Sequence, residues 1–377
     1  MGAEQKIPRP PQTQPEQWIA ERADHLFDAV VIGAGQSGLA AAYELKRRNL
    51  DFVVLDSNPI PGGAWQHRWD SLTMNDVHGV ADLPGSVAPE RSQERSNQII
   101  PAYFAEYERD YELPVIRPVT VRRVEDDAPY LRVLSSAGVL RTRHIVNATG
   151  TWTRPFVPRY PGMETFLGEQ FHTSAYPGAE HFRGKTVLVV GGGASAVQFL
   201  GELAHVTEDL LWATRRPPAW RDGDLDGLGA VTWVEQRAVA GEAPASVVSS
   251  TGLFLRPQEQ YAASLGIYER RLDMFEALEP DGARWADGRF ERLDAIIWAT
   301  GFRPATVHLS PLHLKSPSGG IALERVPGDV QGATTAVADP RIHLVGYGPS
   351  ASTVGARHAA RRAAIAVKKA VGEPLGV

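Results

Sequence analysis

Between Phe27 and Gly38 the chain reads FDAVVIGAGQSG, a short apolar run broken by Gly33, Gly35 and Gly38, and no other feature limits its fold as tightly. A buried strand that turns sharply into a helix has this signature. The first glycine makes the turn, the second lets a pyrophosphate approach the backbone, and the third lets the helix lie close on the strand. Helical apolar spacing follows from Leu39 to Leu45, and FVVL at Phe52–Leu55 reads as a second buried strand that ends at Asp56. An acidic side chain about 20 residues after the glycines accepts hydrogen bonds from a ribose diol. The segment is therefore a βαβ unit with a dinucleotide at the start of its helix, where Gln36, Ser37 and free backbone N–H groups lie.

The same events recur later in the chain. Thr186–Val190 (TVLVV) is a strand, Gly191, Gly193 and Ala196 form G-x-G-x-x-A with Ser195 among them, and a second strand lies near Leu210–Ala213. After that strand the chain has Thr214, Arg215 and Arg216 in place of an acid. A guanidinium matches phosphate oxygens in a bidentate manner, so these arginines favour the 2′-phosphate of NADPH over NADH. From Arg117 to Asn147 the alternating runs VTVRRV, YLRVLS and VLRTRHIVNA read as a meander, and the proline-rich TRPFVPRYPG after Gly150 as an extended linker. A hairpin around ADGR leads into the strand AIIWAT, and IHLV at Ile342–Val345 is a last strand before Gly346 and a helix from about Ser352 to Val371.

The expected fold is α/β, with two Rossmann-like dinucleotide-binding domains and the second inserted into the first. Residues 1–26 are expected to form a flexible arm, 27–155 with 298–377 the first domain, and 156–297 the second. A length of 377 residues suits two cores. The net charge of -5 comes without a long basic stripe, which argues against nucleic acid as a partner. The sequence holds no run of about eighteen apolar residues, so the expectation is a soluble cytoplasmic protein without membrane contact. Cysteine is absent, which removes disulfides, thiolate metal ligands and any Cys-x-x-Cys redox pair; no metal site is expected.

Between the two glycine motifs stand Phe166, Gly168, His172 and Tyr176, spaced F-x-G-x-x-x-H-x-x-x-Y. Gly62-Gly63-x-Trp65 follows Asp56, and Ala-Thr-Gly occurs twice, at Ala148–Gly150 and Ala299–Gly301. In these motifs and their order the chain resembles the flavin-containing monooxygenases, class B flavoprotein monooxygenases of the short bacterial type. The resemblance runs from Asp28 to about Val371. The related Baeyer-Villiger enzymes usually carry tryptophan where this chain has Tyr176, although Pro177 after it is similar to their version.

The resemblance implies FAD in the first domain and NADPH in the second. It adds Gly63, Trp65, Thr149, Gly150, Thr300, Gly301 and Gly346 to the cofactor-binding residues. It places Asn75, in SLTMN, near flavin and nicotinamide as the catalytic candidate. Phe166, Gly168, His172 and Tyr176 are assigned to domain coupling, because a lone histidine is more often structural than catalytic. Trp69 and Trp152 join Trp65 as candidates to line the cavity, and the last helix would aim its N-terminus at the flavin pyrimidine ring.

The implied activity is insertion of one oxygen atom from O2 into a small organic substrate through a C4a-hydroperoxyflavin. Sulfur or nitrogen oxygenation and Baeyer-Villiger oxidation are both open, and the implied partners are substrate, O2 and a second copy in a homodimer. The flavin performs the chemistry while the protein positions NADP and excludes water. Three rivals are weighed: a disulfide reductase, which needs cysteines; an NADPH oxidase or dehydrogenase; and a non-catalytic redox or nucleotide sensor. The acceptor cavity is expected from Met74–Arg95 and Asp222–Gly266.

Overall fold

The protein is described by a computed structural model covering residues 14–77, 80–218, 220, 234, 236–242, 253, 255–329, 332–351 and 353–372. The chain opens with helix α1 (Pro15–Ala20) and then lays down β1 (Leu26–Ile32), α2 (Gln36–Lys46), β2 (Phe52–Leu55), α3 (Ser96–Asp110) and β3 (Val115–Ile116). The meander follows as β4 (Val121–Asp127), β5 (Tyr130–Ser135) and β6 (Gly138–Asn147). Next come β7 (Glu169–His172), β8 (Thr186–Val190), α4 (Ala194–Leu203), β9 (Asp209–Ala213), α5 (Gln260–Ser264), the hairpin strands β10 (Ala277–Glu279), β11 (Gly282–Arg284) and β12 (Phe290–Arg292), and β13 (Ala295–Trp298). The chain then returns to the first sheet with β14 (Thr335–Ala336), β15 (Asp339–Leu344) and α6 (Thr353–Gly372).

Two parallel four-strand cores repeat one another. The first sheet runs β15-β6-β1-β2 and the second β7-β13-β8-β9, every pair parallel, with the second set lying between β6 and β14 in the chain. Their registers correspond: Ile32 pairs with Leu55 and Asn147, and Val190 pairs with Ala213 and Trp298. Gly33 thus corresponds to Gly191, Asp56 to Thr214 and Ala148 to Ala299.

Strands covered on both faces need apolar side chains at every position, which is why these segments read as continuous runs. In the second sheet Val187, Val189, Ala295 and Ile297 face one core, while Leu188, Val190, Ile296 and Trp298 face another. In the first sheet Ala29, Val31, Phe52 and Val54 pack under α2, α3 and α6, where Ala40, Ala41, Ala360 and Ala364 keep the helices close. The opposite face takes Val30, Ile32, Val53 and Leu55 against the meander and the segment from Leu309 to Leu323.

Two expected boundaries are corrected. The N-terminal arm is helical at Pro15–Ala20, with proline at its first turn, and Trp18 and Ile19 are buried, Trp18 stacking on Phe27 at 6.2 Å. Burial of two large apolar side chains, at about 1.5–3 kcal/mol each, outweighs the polar composition of the segment. Residues 1–13 of the arm lie outside the described residues. Part of the expected second domain also belongs elsewhere: Ala238 packs in the first unit's core, Leu323 N–H donates to Ala238 O at 3.2 Å, and Gly320 N–H donates to Gly241 O at 3.0 Å.

Candidate functional site

Both glycine loops sit at the carboxyl ends of their central strands. Gly33 N–H donates to Leu55 O at 2.8 Å and Gly191 N–H to Ala213 O at 3.0 Å. A side chain on the first glycine of either loop would strike the alanine of an Ala-Thr-Gly motif. The Cβ would lie 2.6 Å from Ala148 O at Gly33 and 2.2 Å from Ala299 O at Gly191. These glycines adopt φ of 100° and 142°, as the turn demands. At Gly38 a Cβ would lie 1.8 Å from Gly33 O, so α2 can approach β1 only because the third residue is glycine. The middle glycines face space: a Cβ on Gly35 meets only Gly63 Cα, at 4.0 Å, and one on Gly193 meets nothing within 4 Å. Each is the N-cap of its helix, α2 or α4, so both helix starts open onto a cradle that fits a pyrophosphate.

The loops are braced differently. Asp56, buried at the end of β2, accepts Ala34 N–H at 2.5 Å and Asn58 N–H at 2.7 Å. Its carboxylate therefore holds the loop, a role the expected ribose contact had not included. In the second loop Thr214 takes the equivalent place and gives its hydroxyl to Arg216 O at 2.7 Å, while the buried Trp212 donates its indole N–H to Gly191 O at 2.7 Å. Arg215 and Arg216 are exposed and form no ion pair among the described residues. Around the first loop Gln36 donates its amide to Ala81 O at 2.9 Å, tethering the 80–84 segment, and Ser37 lies against Gly346, whose Cβ would meet Ser37 Oγ at 2.8 Å. Ser195 is half-buried in α4, next to the buried Ala196. Gly346 precedes a short 3-10 turn and then α6; Ser352 lies outside the described residues.

The two connections between units cross as an antiparallel ribbon. Pro155 bridges Phe302, Phe156 N–H donates to Gly301 O at 3.0 Å, Arg303 N–H to Arg154 O at 2.8 Å, and Ala305 N–H to Gly150 O at 2.9 Å. Thr149 donates its hydroxyl to Ala305 O at 2.7 Å, and Thr300 donates to Phe156 O. Each threonine hydroxyl thereby clamps the opposite connection. Gly150 and Gly301, at φ of 60° and 77°, leave open space beside the ribbon.

His172 ties the intervening motif to this crossing. Ser174 N–H donates to its Nδ1 at 3.2 Å, so the proton sits on Nε2, which donates to Gly301 O at 2.9 Å. Burial lowers its pKa and keeps the ring neutral. Gly168 is required because a Cβ would lie 2.4 Å from the ring of the buried Phe166. Tyr176 donates to Glu202 of α4 at 3.2 Å and packs on Phe199 at 4.4 Å. Ser71 of the first unit donates to the same Glu202 oxygen at 2.8 Å, and Trp69 packs against Tyr176 and Phe199. Trp69 is therefore packed at the joint between units. Burial pushes the Glu202 carboxyl above its usual range.

Asn75 is half-buried, and its side-chain amide has no hydrogen-bond partner among the described residues. Its backbone N–H is held by Ser92 O at 3.0 Å, and the carbonyl of neighbouring Asp76 accepts from Gln198 of α4 at 3.0 Å and from Arg256. The first unit's SLTMN segment is thereby fixed against the helix that starts at the second loop. His78 and Gly79, and much of the expected cavity segment from Asp222 to Gly266, lie outside the described residues. Trp65 is half-buried beside the first core, with the Arg68 guanidinium 5.4 Å from its ring and 4.5 Å from that of Trp152. Arg68, Trp212, Glu202 and the ribbon escaped sequence reasoning; the run Trp65-Gln-His-Arg68-Trp69, a cation among aromatics, was the available signal for Arg68. Among the described residues no group of His, Asp or Glu is placed to hold a metal, and no helix is long and apolar enough to cross a membrane.

Two Rossmann-like units whose cradled helix starts flank a clamped crossing define a two-dinucleotide oxidoreductase. Residues 30–237 match the family described as pyridine nucleotide-disulphide oxidoreductase. A solved flavin-containing monooxygenase from Stenotrophomonas maltophilia is 36% identical, with a TM-score of 0.77 over 92% of this chain and 99% of its own. Indole-3-pyruvate monooxygenase of Oryza sativa subsp. japonica is 29% identical over 331 residues, 78% of this chain and 80% of that protein. An uncharacterized oxidoreductase, CzcO, of Bacillus velezensis is 27% identical over 289 residues, 74% of this chain and 82% of that protein. The chain belongs to the flavin-containing monooxygenase family of class B flavoproteins, related to the Baeyer-Villiger monooxygenases. It is an FAD-binding, flavin-dependent oxidoreductase of that family.

Proposed function

We propose that this protein is an FAD-dependent, NADPH-consuming monooxygenase that transfers one oxygen atom of O2 to a small organic substrate, with the NADPH unit inserted into the FAD unit. The observation that carries this reading is the pair of open cradles at Gly35 and Gly193, joined across one clamped ribbon in a chain without cysteine. Bound FAD, reduced by NADPH, supplies the oxygen activation. The names of the relatives, flavin-containing and indole-3-pyruvate monooxygenases, support that assignment.

The chain's own residues bind, orient and shield. Backbone N–H groups at the start of α2 hold the FAD pyrophosphate, with Gly33 and Gly38 setting the loop and Asp56 bracing it. A Cβ on Gly63 would lie 2.8 Å from Gly35 Cα, so the Gly62–Trp65 turn borders that cradle. At the second loop α4 takes the NADPH pyrophosphate, while Arg215 and Arg216, exposed and without an ion pair among the described residues, take its 2′-phosphate. Asn75, whose side-chain amide has no partner among the described residues and whose segment is fixed near α4, is assigned to bind the nicotinamide end. Trp65, Trp152 and Phe302 provide apolar surface that keeps water from the reacting centre.

The test is to reduce the yellow protein with NADPH without oxygen, admit O2 with an organic sulfide present, and count products. The expected result is about one sulfoxide per NADPH, with hydrogen peroxide a minor product. Peroxide equal to the NADPH consumed, with no oxygenated product, would favour an oxidase or dehydrogenase. A flavin that NADPH fails to bleach would leave a sensor.

A further inference from the structure

Arg68 is half-buried, its shielded Nε makes no hydrogen bond, and no carboxylate pairs with it among the described residues. Other shielded arginines behave differently. Arg117 meets Glu108 with two bonds at 2.6 and 2.7 Å, Arg256 meets Glu259 at 3.0 Å, and Arg48 meets Glu44. Removing a charge from water without a partner is unfavourable, and aromatic faces offset it only in part. Burial lowers the Arg68 pKa to about 10, which still leaves the guanidinium charged at neutral pH. It therefore presents a charged guanidinium whose partners among the described residues are aromatic rings and no carboxylate.

Its position limits what can answer that charge. Arg68 follows the Gly63–His67 turn that borders the first cradle, and it lies over Trp152, two residues past Gly150. Trp152 stacks on Phe302 at 5.1 Å, and Phe302 meets His172 edge-on at 4.8 Å. The cation thus stands where both units converge, beside the open space left by Gly150 and Gly301. Under the function proposed above, on which this step rests, the cofactor phosphates already have partners at the two helix starts and at Arg215 and Arg216.

We infer that Arg68 is an anion subsite that receives the carboxylate of the organic substrate, so that this enzyme selects substrates bearing a carboxylate near an apolar or aromatic body. The guanidinium offers paired N–H donors suited to a carboxylate, and Trp65 and Trp152 offer the apolar wall.

The experiment uses oxidised, FAD-loaded protein and equilibrium titration followed by tryptophan fluorescence, so turnover is not required. The probes are phenylacetate, its uncharged analogue phenylacetamide, and NADP+. Wild type is expected to bind phenylacetate about tenfold or more tighter than phenylacetamide. Arg68→Met should erase that preference without weakening phenylacetamide, and Arg68→Lys should retain part of it. Equal FAD content and melting temperature show that the variants fold.

A preference unchanged in Arg68→Met overturns the subsite, as does its absence from wild type. If Arg68→Met weakens NADP+ binding about tenfold and no carboxylate preference exists, the anion is a cofactor phosphate and the substrate assignment falls. Failure of the oxygenation reading would appear separately, as peroxide in place of oxygenated product with the carboxylate preference intact.

Discussion

The two glycine loops share strand order, register and turn, yet each carries a different additional brace. Beyond the shared bond from the first glycine N–H to the neighbouring strand, the first loop is fastened through Ala34 N–H, which donates to the Asp56 carboxylate. The second is fastened through a carbonyl, Gly191 O, which accepts from the Trp212 indole. The third residue of the motif differs as well. Gly38 touches the backbone of its own loop, whereas the second loop carries the buried Ala196 in the matching place. The first unit therefore needs glycine at its third position and has a carboxylate at its strand end; the second takes alanine there and presents two arginines that form no ion pair among the described residues. One topology thus carries two loops whose chemistry differs at the strand end, a carboxylate at one and a threonine followed by two arginines at the other.

The largest expected effect tests that need for glycine. In Gly38→Ala the new Cβ has to displace Gly33 O from 1.8 Å, at a cost of about 3 kcal/mol or more. Urea unfolding should show that loss together with loss of bound FAD, while Ala196→Gly in the second loop should cost only about 1 kcal/mol. A Gly38→Ala protein that keeps FAD and its urea midpoint would end the distinction between the loops.

Acid should separate the units next. Burial lowers His144 to about 4 and His308 to about 4, and burial together with the neighbouring His144 lowers His343 to about 3; all three lie in the first unit. As pH falls below 6.5 the unfolded chain takes up these protons first. The stability is therefore whole above pH 6.5 and declines as pH drops toward the folded values. Between pH 7 and pH 5 the loss is about 2 kcal/mol per histidine. Thermal melts at the two pH values, followed by FAD release, should show the first unit failing. The slope should flatten in His308→Asn, which removes the histidine that meets Asn147 at 2.7 Å. An unaltered slope in that variant would contradict the assignment.

At the second loop, Arg215→Ala combined with Arg216→Ala should raise KM for NADPH about tenfold or more and leave KM for NADH within about twofold. Steady-state kinetics with both cofactors decide it. Equal changes would remove the 2′-phosphate from these arginines and leave the second loop without its distinguishing ligand contact.

Much of this contrast is legible in sequence, because strands covered on both faces and glycine turns are local. FDAVVI and TVLVV, their glycines and the absence of an acid after Ala213 all read directly. What escaped depends on contacts between distant segments. Nothing local tells that the Thr149 hydroxyl reaches Ala305, or that Thr300 reaches Phe156. The pairing of Ser71 and Tyr176 on Glu202 brings together residues more than a hundred positions apart in chain order, and no periodicity records it. The N-terminal segment was misread for another reason: composition averaged over its Pro- and Gln-rich part hid Trp18 and Ile19, the two side chains that dock it. The 236–242 segment likewise follows the first unit's core and not its neighbours in sequence.

The smallest effect asks whether the indole brace sets affinity at the second loop alone. Trp212→Phe keeps an aromatic ring against Tyr268, which meets the indole edge-on at 5.9 Å, but removes the N–H that Gly191 O accepts. A carbonyl that loses its partner in a buried setting costs about 1 kcal/mol, which corresponds to about a fivefold rise in Kd if it is expressed at the cradle. Titration with NADP+ should show that rise while FAD content stays at the wild-type level, since Asp56 and the first loop are untouched. Parallel loss of FAD would mean that the crossing transmits a disturbance from Gly191 through Ala299 to the ribbon, and the two loops would then have to be treated as one coupled site.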